Sequence, residues 1–155
     1  LYIKIIKKLI LSLKLKKKVF VHRDFHISNI MIKKNKIYLI DSQDAVFGNE
    51  AYDLASLIDD VRIKIKLKNR EKIYEKFISN KKKINLKKLR NDFEILSILR
   101  NLKIIGIFTR LSKRDKKHKY LKLIPYAWKM IDERRKHNTR FEELNNFLSI
   151  YFQKI

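Results

Sequence analysis

The string Val21-His22-Arg23-Asp24-Phe25-His26-Ile27-Ser28-Asn29-Ile30-Met31 sets an Asp five residues ahead of an Asn, and Ile40-Asp41 follows twelve residues after that Asn. The spacing is H-R-D-x-x-x-x-N and then D. In phosphoryl transfer an Asp in the first place accepts or orients the attacking hydroxyl, while the Asn and the later Asp hold the magnesium that bridges the nucleotide phosphates. The same stretch is acidic within a basic chain. Between positions 24 and 60, Asp24, Asp41, Asp44, Glu50, Asp53, Asp59 and Asp60 stand against Lys33, Lys34 and Lys36. Hard cations are held by oxygen ligands, so this island is where metal chemistry is expected, although several of its acids are equally suited to capping helices.

The surrounding pattern predicts the elements that must position these groups. Leu1 to Leu15 mixes Ile, Leu and Tyr with Lys at spacings that favour an amphipathic helix. Val19 to Val21 reads as a strand. Ile30 to Ile32 and Ile37 to Ile40, joined by Lys33-Lys34-Asn35-Lys36, read as a β-hairpin with a polar turn. That hairpin begins just after Asn29 and ends at Asp41, which returns the second metal ligand to the level of the first. Beyond Asp53 the period becomes helical. Helices are expected over about 53–67, 70–79, 86–111, 120–137 and 141–152, with Pro125 tolerated near a helix start and Gly106 marking a kink or a close contact. The lysine triplet at 81–83 reads as a solvated loop.

A chain of 155 residues with 45% hydrophobic residues can build one packed domain. It has no cysteine, which excludes disulfides, thiolate zinc sites and cysteine nucleophiles. Lysines interrupt the apolar residues of the first segment, so neither a membrane span nor a signal peptide is expected there, and a cytoplasmic location follows. The chain starts with Leu, as an N-terminally truncated sequence would. The net charge of +23 raises nucleic-acid binding, but the lysines are spread instead of clustered. A solvated, compositional charge is the expectation, with no specific nucleic-acid partner.

His22-Arg23-Asp24-Phe25-His26 with Asn29, then Ile40-Asp41-Ser42-Gln43-Asp44-Ala45, Gly48 and Tyr52-Asp53-Leu54-Ala55-Ser56-Leu57, resemble the core motifs of the aminoglycoside phosphotransferase and choline kinase superfamily, which shares the protein-kinase-like fold. The segments Gln43-Asp44-Ala45, Tyr52 to Asp60 and Gly106-Ile107-Phe108-Thr109-Arg110-Leu111 are similar to its branch of bacterial cell-wall amino-sugar kinases, which phosphorylate N-acetylmuramate or N-acetylglucosamine at the anomeric hydroxyl. The resemblance implies an α+β fold, the mainly helical C-terminal lobe of such a kinase with a small hairpin carrying the catalytic and metal-binding loops. It implies Asp24 as the catalytic residue, Asn29 and Asp41 as metal ligands, and Asp44 as an acceptor contact; for His26 a contact to substrate or phosphate and a plain packing role are equally open. His22 would support the loop, and Asp53, ahead of a helical run, would cap that helix and brace the loop. Arg23 stands where many relatives carry Gly, and Ser42 where an aromatic residue is usual.

The implied co-substrate is ATP, the implied metal Mg2+, and the implied acceptor a small polar molecule. Kinases of this fold also use an N-terminal lobe whose Lys–Glu pair and covering loop position the phosphates. Residues 1–23 contain no glycine and are too few for such a lobe. Residues 1–155 are therefore expected to be a C-terminal lobe, a fragment of a longer enzyme that is inactive or nearly so alone. Three other readings compete. His22, Asp24 and His26 could ligate zinc in a hydrolase, with His118 and His137 in separate helices. Tyr120, Tyr126 and Trp128 among lysines could serve a basic nucleic-acid-binding module, although at helical spacing they suit a core. An inactive pseudokinase or structural remnant is the third.

Overall fold

The computed structural model describes residues 1–16, 18–81, 83–136 and 138–152. Helix α1 (Tyr2–Leu11) leads to strand β1 (Lys18–Val21), the hairpin strands β2 (Ile30–Lys33) and β3 (Lys36–Leu39), and strand β4 (Val46–Asn49). Helices α2 (Ala51–Ile58), α3 (Leu67–Ser79), α4 (Leu86–Asp115), α5 (Ile124–Arg135) and α6 (Glu142–Tyr151) follow. Short 3-10 turns precede α5 and α6 at His118–Leu123 and Thr139–Phe141. The expected α+β class and mainly helical lobe are what the chain has.

Two antiparallel pairs make up the sheet structure. Strand β2 faces β3 with Ile30 opposite Leu39, and Lys34 and Asn35 both take positive φ at the turn, which suits the right-handed strand twist. Strand β1 faces β4, with Val19 opposite Gly48 and Val21 opposite Val46. This second pairing ties the two ends of the 22–45 segment together, so everything between them is held as one loop assembly. Local pattern did not announce β4, a four-residue strand that contains Gly48 and is specified by a partner far back in the chain.

Helix α4 is the axis of the helical part. Ile95 and Ile98 pack with Ile5, Leu9, Ile131, Phe141, Leu144 and Leu148. Leu89, Phe93 and Leu96 pack with α2 through Ala51, Leu54, Ala55 and Ile58. Ile104 and Phe108 pack with Val61 and Ala127. Asn85 caps its start by accepting from the Lys88 N–H at 3.0 Å, and Lys116 closes its end in a left-handed conformation with φ 57°. The helix runs through Gly106 unbroken, and a Cβ there would meet open space, so the expected close contact is absent.

Other boundaries differ for identifiable reasons. Helix α2 stops at Ile58 and does not continue to residue 67, because Asp59 and Asp60 turn their carboxylates inward and Asp60 Oδ1 accepts the Arg62 N–H at 3.0 Å. The Arg134 guanidinium donates to Asp59 at 2.9 Å, Ser97 Oγ also donates to it, and Arg70 lies at 3.7 Å while bridging to Glu133 at 2.7 Å. One carboxylate thus joins α2, α3, α4 and α5. Asp92, also buried, accepts from the Lys14 and Leu15 N–H groups and the Asn49 amide at 2.6–2.8 Å, fixing the chain after α1 to the end of β4. Tyr120 stacks on Phe108 and Trp128 packs beside Phe152, and both are half-buried against the core clusters. Of the positions singled out in the sequence, Lys82 and His137 lie outside the described residues.

Candidate active site

The loop from His22 to Asn29 is held from beneath. Asp53, in the first turn of α2, accepts the His22 N–H at 2.7 Å and the Arg23 N–H at 3.1 Å with its two carboxylate oxygens. It is not the cap of that helix, a place taken by Glu50. Burial pushes the Asp53 carboxyl upward in pKa, with the two N–H bonds pulling the other way. Arg23 sits at φ 70°, a left-handed conformation that glycine adopts at no steric cost. Its guanidinium crosses to the Asp44 carbonyl at 3.2 Å, linking the two loops.

Asn29 and Asp41 meet through the peptide of Ile40. The Ile40 N–H donates to the Asn29 carbonyl at 3.1 Å, and His22 Nε2 donates to the Ile40 carbonyl at 2.9 Å. A carbonyl can only accept, so His22 carries its proton on Nε2 and serves as a strut. The Asn29 amide donates to the Asp24 carbonyl at 3.0 Å, which leaves its side-chain oxygen without a protein partner among the described residues. Asp41 is exposed at φ 67°, and one of its oxygens accepts from the Gln43 amide at 2.5 Å. The arrangement therefore offers an amide oxygen and a carboxylate at one end of the hairpin, with the Asp24 carboxyl on the loop between His22 and Asn29.

These are hard oxygen donors, and they fit a magnesium ion that keeps waters and phosphate oxygens as its other ligands. Among the described residues no group of three or more His, Cys, Asp or Glu is placed to hold a metal, so His22, Asp24 and His26 do not converge as the zinc reading required. Asp44 is exposed, and its carboxylate makes no hydrogen bond among the described residues.

His26 is buried, and burial pushes its pKa down, assisted by the positive charges of Arg62 and Arg100 and opposed by Asp60 and Asp24. That neighbourhood was not foreseen. Asp60, Arg62 and Arg100 come from the end of α2, the following turn and α4, three places far apart in sequence. The available signal was Arg100 itself, which falls on the stripe Leu89, Phe93, Leu96, Ile104, Phe108 that α4 buries. An arginine on an apolar stripe calls for a partner.

Residues 3–72 match the profile of the phosphotransferase enzyme family. The chain is 32% identical over 133 residues to an N-acetylmuramate/N-acetylglucosamine kinase of Neisseria meningitidis serogroup B, covering 82% of this chain and 39% of that protein. A Caulobacter vibrioides protein of the same name is 29% identical over 119 residues, covering 74% of this chain and 33% of its own length. A Pseudomonas aeruginosa protein, again of that name, is 28% identical over 141 residues, covering 85% of this chain and 41% of its own. The chain thus spans well under half the length of these curated relatives. Residues 3–72, the segment that matches that family profile, carry the loop, the hairpin and both candidate oxygen ligands.

Proposed function

We propose that this chain is the catalytic lobe of an ATP-dependent, magnesium-using phosphotransferase that moves the γ-phosphoryl group to a hydroxyl of a small amino sugar. The carrying observation is the Ile40 peptide clamped between the Asn29 carbonyl and the His22 ring, which ties the two candidate metal ligands to the loop that bears Asp24. The kinase names of the relatives support the acceptor class.

In this reading Asp24 accepts a hydrogen bond from the acceptor hydroxyl and takes its proton as that oxygen bonds the γ-phosphorus and the bond from phosphorus to the bridging oxygen breaks, releasing ADP. Asn29 and Asp41 hold the metal, which supplies charge neutralisation to the phosphate oxygens when bound. His22 and Asp53 act by positioning, because they hold backbone atoms and not the reactants. The hairpin leaves Met31, Ile32, Ile37 and Tyr38 exposed, and Phe47 of β4 is 76% exposed. An apolar surface of that kind belongs against another surface. A nucleotide-binding lobe of the same polypeptide is the partner this reading assigns to it, and the share of the relatives that the chain spans leaves room for one.

The test is nucleotide turnover by the whole gene product that contains this chain, with N-acetylmuramate, N-acetylglucosamine and an aminoglycoside offered in turn, with and without magnesium. Magnesium-dependent phosphorylation of an amino sugar is the expected result. Turnover with none of the three, in a folded protein, sinks the reading and leaves a kinase-shaped remnant.

A further inference from the structure

Helix α2 ends at Ile58, and the turn after it carries Lys64 and Lys66 to the start of α3, where both line an open cleft shared with α5. The cleft holds about 650 Å³, and none of His22, Asp24, Asn29, Asp41 or Asp44 lines it. Its two least exposed cations are matched. Arg70 and Arg134 share Asp59, and Arg70 also bridges to Glu133. The exposed cations are not: among the described residues no ion pair or hydrogen bond reaches the ammonium group of Lys64, Lys66 or Lys129. Five cationic side chains therefore meet one carboxylate in the cleft, Glu133, and with Asp59 counted behind the arginines three positive charges are left over. One more donor is idle there. Arg70 is 7% exposed, and its guanidinium bonds Met130 Sδ and Glu133 through Nη1 alone, so Nη2 has no hydrogen-bond partner among the described residues. Gathering three ammonium groups around one cleft raises their mutual repulsion, and a bound anion removes it.

We propose that this cleft binds a small phosphate monoester, with Lys64, Lys66 and Lys129 on the phosphate oxygens and the carbon portion against Ile65, Leu67 and the Tyr126 ring. A monoester phosphate carries about two negative charges at neutral pH and three acceptor oxygens, so it offsets more of the surplus than a carboxylate does. Ammonium groups act as point charges and set no planar requirement, which suits a tetrahedral anion. Ile65, Leu67 and Tyr126 supply the apolar wall that a small-molecule site of this size needs beside its polar groups. The inference stands apart from the kinase reading, because the cleft shares no residue with the loop that bears Asp24. Two sources present the same chemistry: the sugar phosphate that the proposed reaction would make, and a phosphate ester made by another enzyme. The bland alternative is a solvated lysine surface that attracts any anion weakly.

Calorimetric titration of the whole gene product, without nucleotide, tests this with N-acetylglucosamine 1-phosphate and glycerol 3-phosphate as probes. Saturable one-site binding is expected. Lys129→Gln should weaken it about three- to tenfold, the scale of one lost charge-assisted bond, and adding Lys64→Gln should weaken it by as much again. Lys87→Gln, at an exposed lysine in the first turn of α4 and outside the cleft, should leave it within about twofold. All of these lysines are exposed, so the variants should fold, and thermal unfolding checks that they do. Tighter binding of the sugar phosphate supports the cleft with the chain's own product as its source, and tighter binding of glycerol 3-phosphate supports it with a separate metabolite. Absence of saturable binding, an equal loss in Lys87→Gln, full binding in the double variant, or an equal affinity for inorganic sulfate would each overturn the proposal. Sugar phosphorylation without this binding would leave the kinase reading standing alone, and binding without phosphorylation would leave the cleft standing alone.

Discussion

The hairpin side of the molecule keeps Ile32 and Ile37 more than two-thirds exposed, whereas the helical side buries Phe93, Ile95, Ile98, Ile131 and Phe141 almost completely. The polar groups divide the same way. On the helical side Asp59 and Asp92 have their oxygens claimed by several donors each, but on the hairpin side, among the described residues, one hydrogen bond reaches the Asp41 carboxylate and none reaches that of Asp44. Satisfied buried carboxylates contribute stability, and unsatisfied exposed ones are available for chemistry. The contrast therefore separates residues that hold the lobe together from residues kept free for a ligand, and it gives each group of substitutions a different expected readout.

The largest expected effects lie on catalysis. Asp24→Asn should lower sugar phosphorylation in the whole gene product by about 10²–10⁴-fold while leaving thermal unfolding almost unchanged, because among the described residues the Asp24 carbonyl accepts hydrogen bonds and its carboxylate accepts none. On the helical side Asp59→Ala should do the opposite, costing about 3–5 kcal/mol in denaturant unfolding by leaving Arg134 and Arg70 without their shared partner. A loss under about 1 kcal/mol there would mean that the four-helix junction does not depend on this carboxylate, and the contrast between the two regions would weaken.

The loop-and-hairpin unit that carries the candidate residues Asp24, Asn29 and Asp41 was legible in sequence because its spacing is local. Most helices were legible because their apolar stripes have a period the chain repeats. Strand β4 was not, since its partner is set by pairing across a long segment. Arg100 was not distinguished either, because the chain holds 39 Lys and Arg residues and side-chain type alone does not reveal which is buried. The end of α2 was misplaced for a related reason, as Asp59 and Asp60 continue the helical pattern while their carboxylates bond elsewhere.

Smaller effects sharpen the comparison. His26 has a pKa lowered from 6.5, so as pH falls the unfolded chain takes up its proton before the folded one does. The stability owed to neutral His26 is fully present above about pH 6.5 and is lost as pH falls through the lower folded value. Unfolding measured from pH 8 to 5 should show this slope, and His26→Gln should flatten it. Gly106→Ala, on an open face of α4, should stabilise by about 0.5–1 kcal/mol, and a destabilisation would reveal a contact that the packing of α4 does not contain.

The most direct test measures Asp24→Asn and the unaltered gene product side by side for magnesium-dependent phosphorylation of N-acetylmuramate and for thermal unfolding. The account predicts that kcat collapses with the unfolding midpoint in place; retained kcat in the folded variant would contradict it.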